Sequence, residues 1–155
     1  MKKAIFTLLV MVAIATSSRA QLIDEGTIMA GGSLEFTTEK NDNIFILNPM
    51  LGYSFVDQTM LGISLSYSSI SKLNAFSIGP FARYYLNFGL FAHAGLSFEH
   101  LEQAENKNDL DLILGLGYAA FLNDNVALEP LFTVHLLDGN AYTRLGISLQ
   151  IYFNR

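Results

Sequence analysis

From Thr27 to Phe153 apolar residues alternate with small or polar ones, in eight segments of about ten residues each. A period of two predicts strands, because successive side chains of a strand point to opposite faces. The segments fall near residues 27–37, 44–55, 60–68, 75–86, 90–99, 109–121, 125–137 and 141–153. Each has a face free of charge. In the third it is Leu61, Ile63, Leu65 and Tyr67; in the sixth, Leu110, Leu112, Leu114, Leu116, Tyr118 and Ala120; in the eighth, Thr143, Leu145, Ile147, Leu149, Ile151 and Phe153. The opposite face carries most of the glycines and serines together with Glu35, Arg83, His93, Glu99, Asp111, Glu129, His135 and Arg144.

This polarity separates two kinds of barrel. A soluble up-and-down barrel turns its polar face to water and its apolar face inward. A barrel standing in lipid does the reverse, and a lysine or arginine facing lipid at mid-depth would cost about 2–4 kcal/mol. Strands of nine to twelve residues suit a tilted membrane crossing. The pattern therefore predicts an all-β chain folded as an eight-stranded antiparallel up-and-down transmembrane β-barrel.

The connections alternate as well. Short turns are expected at 56–59, 87–89 and 122–124, and longer polar loops at 38–43, 69–74, 100–108 and 138–140, the usual periplasmic and external asymmetry. On that orientation Phe36, Phe45, Tyr67, Phe76 and Phe98 form an outer aromatic belt. Tyr53, Phe55, Tyr84, Tyr118 and Phe153 form an inner one, and Phe132 falls mid-span. Pro49, Pro80 and Pro130 lie inside strands although proline lacks a ladder donor, so bulges or gaps are expected there.

The first twenty residues stand apart from this pattern. Lys2 and Lys3 precede an apolar run from Ala4 to Ala15, and Ser18-Arg19-Ala20 gives a small-x-small cleavage pattern. Residues 1–20 are thus expected to be a signal peptide cleaved after Ala20, and residues 21–155 the barrel domain. Cleavage removes Lys2, Lys3 and Arg19 and takes the formal charge from −5 to −8, with no electrostatic footprint for nucleic acid. There is no cysteine, hence no disulfide, thiolate ligand or thiol nucleophile.

Several strands also carry a resemblance. Phe45–Phe55, the run Phe76-Ser-Ile-Gly-Pro-Phe-Ala-Arg-Tyr-Tyr85, Ala127-Leu-Glu-Pro130 and the aromatic-ending Ile147–Phe153 together resemble the small outer-membrane β-barrel domain family of Bacteroidetes, similar in architecture to OmpA/OmpX-type eight-stranded barrels. The resemblance covers the whole mature chain. It implies a cell outer membrane location among lipids and lipopolysaccharide, and insertion by the outer-membrane assembly machinery, which reads an aromatic near the C-terminus. Here Phe153 is followed by Asn154 and Arg155. The family supplies no assigned activity.

The inward residues bound the chemistry. An eight-stranded barrel is just wide enough for its own side chains, so a packed polar lumen is expected. Height along the strands suggests Arg83 with Glu129, and Arg144 with Glu35, as pairs in a structural network. Glu99 and Asp111 gather near the outer rim with Asp109, Glu102 and Glu105, which reads as a solvated acidic loop because no calcium-loop spacing is present. His93 and His135, near Ser97, read as satisfied polar residues, since no nucleophile, base and oxyanion arrangement can be named. No catalytic, cofactor or metal site is expected. The reading is a monomeric envelope-integrity barrel without catalysis; the alternatives are a narrow channel or small-ligand conduit, and surface adhesion through the loops.

Overall fold

The computed structural model describes residues 23–39, 42–70, 73–101, 108–137 and 140–155; of residues 34–39, 42–44, 70, 73–74, 87, 99–101, 108–109, 137 and 140 only the backbone is described. The signal-peptide residues 1–20 lie outside the described residues. The strands are β1 (Ile28–Glu39), β2 (Asp42–Val56), β3 (Thr59–Ile70), β4 (Leu73–Tyr85), β5 (Leu90–Leu101), β6 (Asn108–Tyr118), β7 (Ala120–Phe121), β8 (Val126–Leu137) and β9 (Asn140–Phe153). A one-turn 3₁₀ segment, Asn87–Gly89, links β4 to β5. No described helix is long and apolar enough to cross a membrane.

Every pairing is antiparallel. The order β6-β5-β4-β3-β2-β1-β9-β8 closes on itself through a β6–β8 ladder, while at the β1–β9 seam only Ile28–Gly32 pairs with Leu149–Phe153. The two-residue β7 continues β6 along β8 and keeps its register. The barrel therefore has eight staves. Several strands run beyond the expected ends: β2 begins at Asp42, β3 ends at Ile70 and β4 begins at Leu73. Their polar ends pair as well as their apolar middles, because a ladder is made by backbone groups and does not require apolar side chains.

The prolines produce gaps and not bulges. Pro49 pairs with Gly32, but the β2–β3 ladder stops at Leu47↔Tyr67 and resumes at Met50↔Ser64 without a shift. Pro80 pairs with Ile63, while β4–β5 is interrupted between Ile78↔Phe98 and Phe81↔Gly95. Pro130 pairs with Ile147, and opposite it β6 gives way to β7. Each proline thus interrupts one of its two ladders, as a residue lacking the N–H must. The β2–β3 register slips between Ser54 and Val56, where Ser54 Oγ lies 2.9 Å from the Val56 carbonyl and 3.1 Å from that of Thr59.

Side chains obey the predicted polarity. Leu51, Leu116 and Leu145 are 60%, 65% and 74% exposed, whereas Met29, Met60, Phe91, Glu129, Gln150 and Tyr152 are buried. Among the expected belt residues, Tyr67, Phe76 and Phe98 stand outward near one rim, and Tyr53, Phe55, Tyr84 and Phe153 near the other. Tyr53 and Phe55 meet edge-on at 4.8 Å between ring centres. The side chain of Phe36 lies outside the described residues.

Candidate functional site: a braced lumen floor beneath a polar cup

The interior has two parts. Toward the end that holds the short turns and the C-terminus, the alternate positions of the staves supply Met29, Met60, Phe81, Arg83, Tyr85, Phe91, Glu129, Gln150 and Tyr152, all buried. The glycines on this face are where the large side chains seat. A Cβ at Gly62 would strike the Phe81 ring, and one at Gly117 would strike the Phe91 ring. Small positions opposite large ones let a narrow barrel close tightly.

Arg83 is the centre of this floor. Its Nη1 donates to Glu129 Oε2 at 2.8 Å, with both side chains fully buried. Nε donates to His93 Nδ1 at 3.3 Å, which makes that ring nitrogen an acceptor and places the ring proton on Nε2. Nη1 also reaches Met29 Sδ at 3.3 Å and Tyr85 Oη at 3.4 Å, and Nη2 reaches Met50 Sδ at 3.4 Å. The guanidinium sits 4.7 Å from the Phe91 ring centre and 5.4 Å from that of Phe81. One side chain on β4 therefore touches groups on β1, β2, β5 and β8. Glu129 is held on its other oxygen by the Tyr152 hydroxyl, and Tyr152 Oη lies 3.0 Å from Tyr85 Oη. A buried ion pair is tolerable when its remaining polar atoms are satisfied, and these are.

Below the brace the chain seals itself. Ile23 is 1% exposed and packs into the apolar cluster with Met29, Tyr85 and Tyr152. The Ile23 carbonyl accepts from Gln58 N at 2.7 Å, and the Thr27 carbonyl from Ser54 N at 2.9 Å. Asn125 Nδ2 donates to the Tyr152 carbonyl at 2.8 Å. The segment before β1 is thereby fastened across this end of the barrel.

Toward the loop end the lumen is hollow, which corrects the expectation of a lumen packed throughout. A cavity of about 380 Å³ lies there, lined by Ser66, Ser97, Asp111, Thr133, His135 and Arg144 among others. The inward residues there are smaller, and the β1–β9 ladder does not reach this height. Ser33, Ser64, Ser66, Ser77 and Ser97 leave open what Met, Phe and Tyr fill below. The floor is also less polar than expected, since methionines and phenylalanines surround its ion pair.

In the cup wall His135 Nδ1 lies 2.6 Å from Asp111 Oδ2, and His135 Nε2 lies 3.1 Å from Thr133 Oγ1. Tyr142 donates to Asp111 Oδ2 at 3.4 Å and stacks on the His135 ring at 4.6 Å. A hydroxyl, an imidazole and a carboxylate in that order could relay a proton. No oxyanion site accompanies them, because the strand N–H groups around Thr133 are spent in the β6–β8 and β8–β9 ladders. Thr133 also neighbours a carbonyl oxygen, that of Arg144 at 3.5 Å.

Of the residues singled out from sequence, the structure joins Arg83, Glu129 and His93 in the floor, and Asp111 with His135 in the cup. Arg144 lines the cup. The side chains of Glu35 and Glu99 lie outside the described residues, as do those of Glu102, Glu105 and Asp109. The β1–β9 ladder ends at Gly32↔Leu149, short of the height of Glu35 and Arg144. Gly32 has φ +152°, and a Cβ there would collide with the Asn48 carbonyl, so β1 leaves β9 at a residue only glycine suits. Among the described residues no group of three or more His, Asp or Glu side chains could hold a metal ion. Sequence reasoning missed Met29, Met50, Tyr85 and Tyr152 around Arg83, and Thr133 and Tyr142 around His135. Their shared parity with the charged residues was the available signal.

No family model matches the chain, and no curated protein matches it. Solved structures do. A designed transmembrane β-barrel superposes with a TM-score of 0.55 at 16% identity, covering 86% of this chain and 100% of that one. The outer membrane protein Ail of Yersinia pestis, solved in a phospholipid bilayer nanodisc, superposes with a TM-score of 0.55 at 13% identity, covering 84% of this chain and 100% of that one. The fold is that of an eight-stranded transmembrane β-barrel.

Proposed function

We propose that this chain is an integral barrel of the cell outer membrane with a closed lumen, and that its role is structural, in envelope integrity, without catalysis. The observation that carries a closed lumen is the Arg83–Glu129 brace, fully buried and enclosed by Tyr85, Tyr152, Phe91 and the methionines. A solute path would have to break that ion pair and displace Ile23. The membrane assignment is supported by the outward face, whose described residues carry no charge, and by the likeness to barrels of lipid bilayers.

On this reading residues 1–20 direct export and are cleaved after Ala20, the turn end faces the periplasm and the loop end faces outward. The partners are outer-membrane lipids and lipopolysaccharide, with the assembly machinery engaged during insertion, and the barrel is a monomer. Gel mobility of outer-membrane fractions tests the location: the band should migrate anomalously until boiled, and recovery only in soluble fractions would overturn the assignment. Planar-bilayer recording tests the closed lumen. No unitary conductance is expected, and discrete channel steps would instead favour the narrow-conduit alternative.

A further inference from the structure

We propose that the seam between β1 and β9 is a lateral slot for one phospholipid, whose polar head enters the cup while its acyl chains stay in the bilayer. This rests on the outer-membrane reading of the chain and deepens it by naming where a lipid is held. The two strands pair from Ile28↔Phe153 to Gly32↔Leu149 and, among the described residues, no farther. Neither strand ends there. β1 continues against β2 to Glu39↔Asp42, and β9 runs from Asn140 against β8. Two strand edges are therefore left unjoined over residues 33–39 and 140–148. At the point of parting a Cβ on Gly31 would strike the Leu149 carbonyl, and one on Gly32 the Asn48 carbonyl. The parting is thus set by two adjacent residues that accept no side chain.

The cup reaches this seam. Ser33 on β1 and Tyr142, Arg144, Gly146, Ile147 and Ser148 on β9 line it, all beyond the last β1–β9 pair. The outer side of the same stretch is apolar. Leu145 and Ile147 are 74% and 55% exposed, and Leu145 pairs with the mid-span Phe132 of β8. Hydrocarbon does not tolerate an open strand edge; unpaired backbone survives at membrane depth only where it is buried in protein or lines a water-filled cavity. Here that cavity is the cup. Along the seam its water and the hydrocarbon of the bilayer meet with no ladder between them. A molecule polar at one end and apolar at the other matches that boundary, as neither a water-soluble solute nor a plain hydrocarbon does. The edges offer N–H donors and C=O acceptors, which the ester and phosphate oxygens and the polar head of a phospholipid answer. At about 380 Å³ the cup has small-molecule size, and the Arg83–Glu129 floor closes it below. It therefore takes a head group, and the chains lie outside along Leu145 and Ile147.

The test uses the full mature barrel in phospholipid nanodiscs doped with phosphatidylethanolamine carrying a diazirine on its head group. A parallel sample carries the diazirine at the end of an acyl chain. After illumination, adducts are located residue by residue by mass spectrometry. Head-group adducts are expected at Ser33, Gly146 and Ser148, and chain-end adducts on outward residues such as Leu145 and Ile147. Loss of the chain-end adducts would overturn the membrane reading itself. Chain-end adducts accompanied by head-group adducts at the loop rim alone would overturn only the slot. Extending the Gly32↔Leu149 register sets residue 35 opposite residue 146, and a disulfide needs Cα atoms within about 7 Å. In the double variant Glu35→Cys, Gly146→Cys, oxidation should therefore zip the seam and abolish labelling of Ser33 and Ser148. Reduction should restore it, with chain-end labelling unchanged throughout. Labelling of Ser33 and Ser148 that persists after oxidation would mean that the head enters over the rim, and the proposal falls. If the variant does not fold or oxidise, the wild-type pattern decides alone.

Discussion

The two halves of the lumen share the same staves and the same alternation of faces, yet one is filled and the other is open. In the floor, inward positions carry Met29, Met60, Phe81, Arg83, Tyr85, Phe91 and Tyr152, all buried. In the cup the corresponding positions carry serines, Thr133 and Asp111, and a cavity of about 380 Å³ remains. Stave number sets the bore, but side-chain volume decides whether the bore is a core or a vessel. Polar satisfaction does not separate them: each half keeps one buried polar atom without a hydrogen-bond partner among the described residues, Gln150 Oε1 in the floor and Asp111 Oδ1 in the cup.

The largest effect should come from breaking the floor. Arg83→Ala would leave Glu129 as an uncompensated buried charge and should cost about 3–5 kcal/mol, read as a lower urea midpoint of the folded barrel. Replacing Arg83 and Glu129 together by Met and Leu should recover much of that loss; a double variant no better than R83A would show that the pair is not the source of the cost. R144A, in the cup, should change stability by only about 0.5 kcal/mol, because it removes no hydrogen bond or ion pair with a described side chain. A stability loss there equal to that of R83A would erase the contrast between the halves.

Next in size is the outer face. Leu114→Lys, at an exposed mid-strand position, should cost about 2–4 kcal/mol in a bilayer, whereas Ser66→Lys, facing the cup, should be nearly neutral. Equal costs for the two lysines would mean that the outward face does not meet lipid.

Gly62→Ala should follow at about 1–3 kcal/mol, since its Cβ would strike the Phe81 ring in the packed floor. Ser97→Val adds bulk over the open cup and should stay within about 0.5 kcal/mol. Thermal scans of the two variants, run together, decide whether packing density differs as described.

The smallest effect belongs to the prolines. Pro130→Ala restores an N–H beside the gap between β6 and β7 and should gain up to about 1 kcal/mol, with added amide protection at Tyr118. Unchanged exchange rates there would show that the gap has a cause other than the missing donor.

How much of this was legible depended on how local the cause was. Period-two alternation needs only neighbouring residues, so strand number, the polarity of the faces and the sites of the proline gaps were accessible from sequence. The gaps, however, could not be told from bulges, because an inserted residue and a missing hydrogen bond look alike in one strand. The Arg83–Glu129 pair could be proposed from height along β4 and β8. The methionine and tyrosine shell around it could not, since those residues come from β1, β2, β4 and β9 and meet only when the barrel closes. His135 with Asp111 is a similar case: they are 24 positions apart, on neighbouring staves whose register sets them diagonally face to face.

By itself the chain's pattern determined a barrel with a charge-free outer face, because that follows from which residues share a parity and from the solvent each parity can meet. Tertiary structure alone decided that one half of the interior is sealed and the other hollow. Volume in a closed barrel is a property of facing residues on different staves, and their juxtaposition is settled only by register and closure.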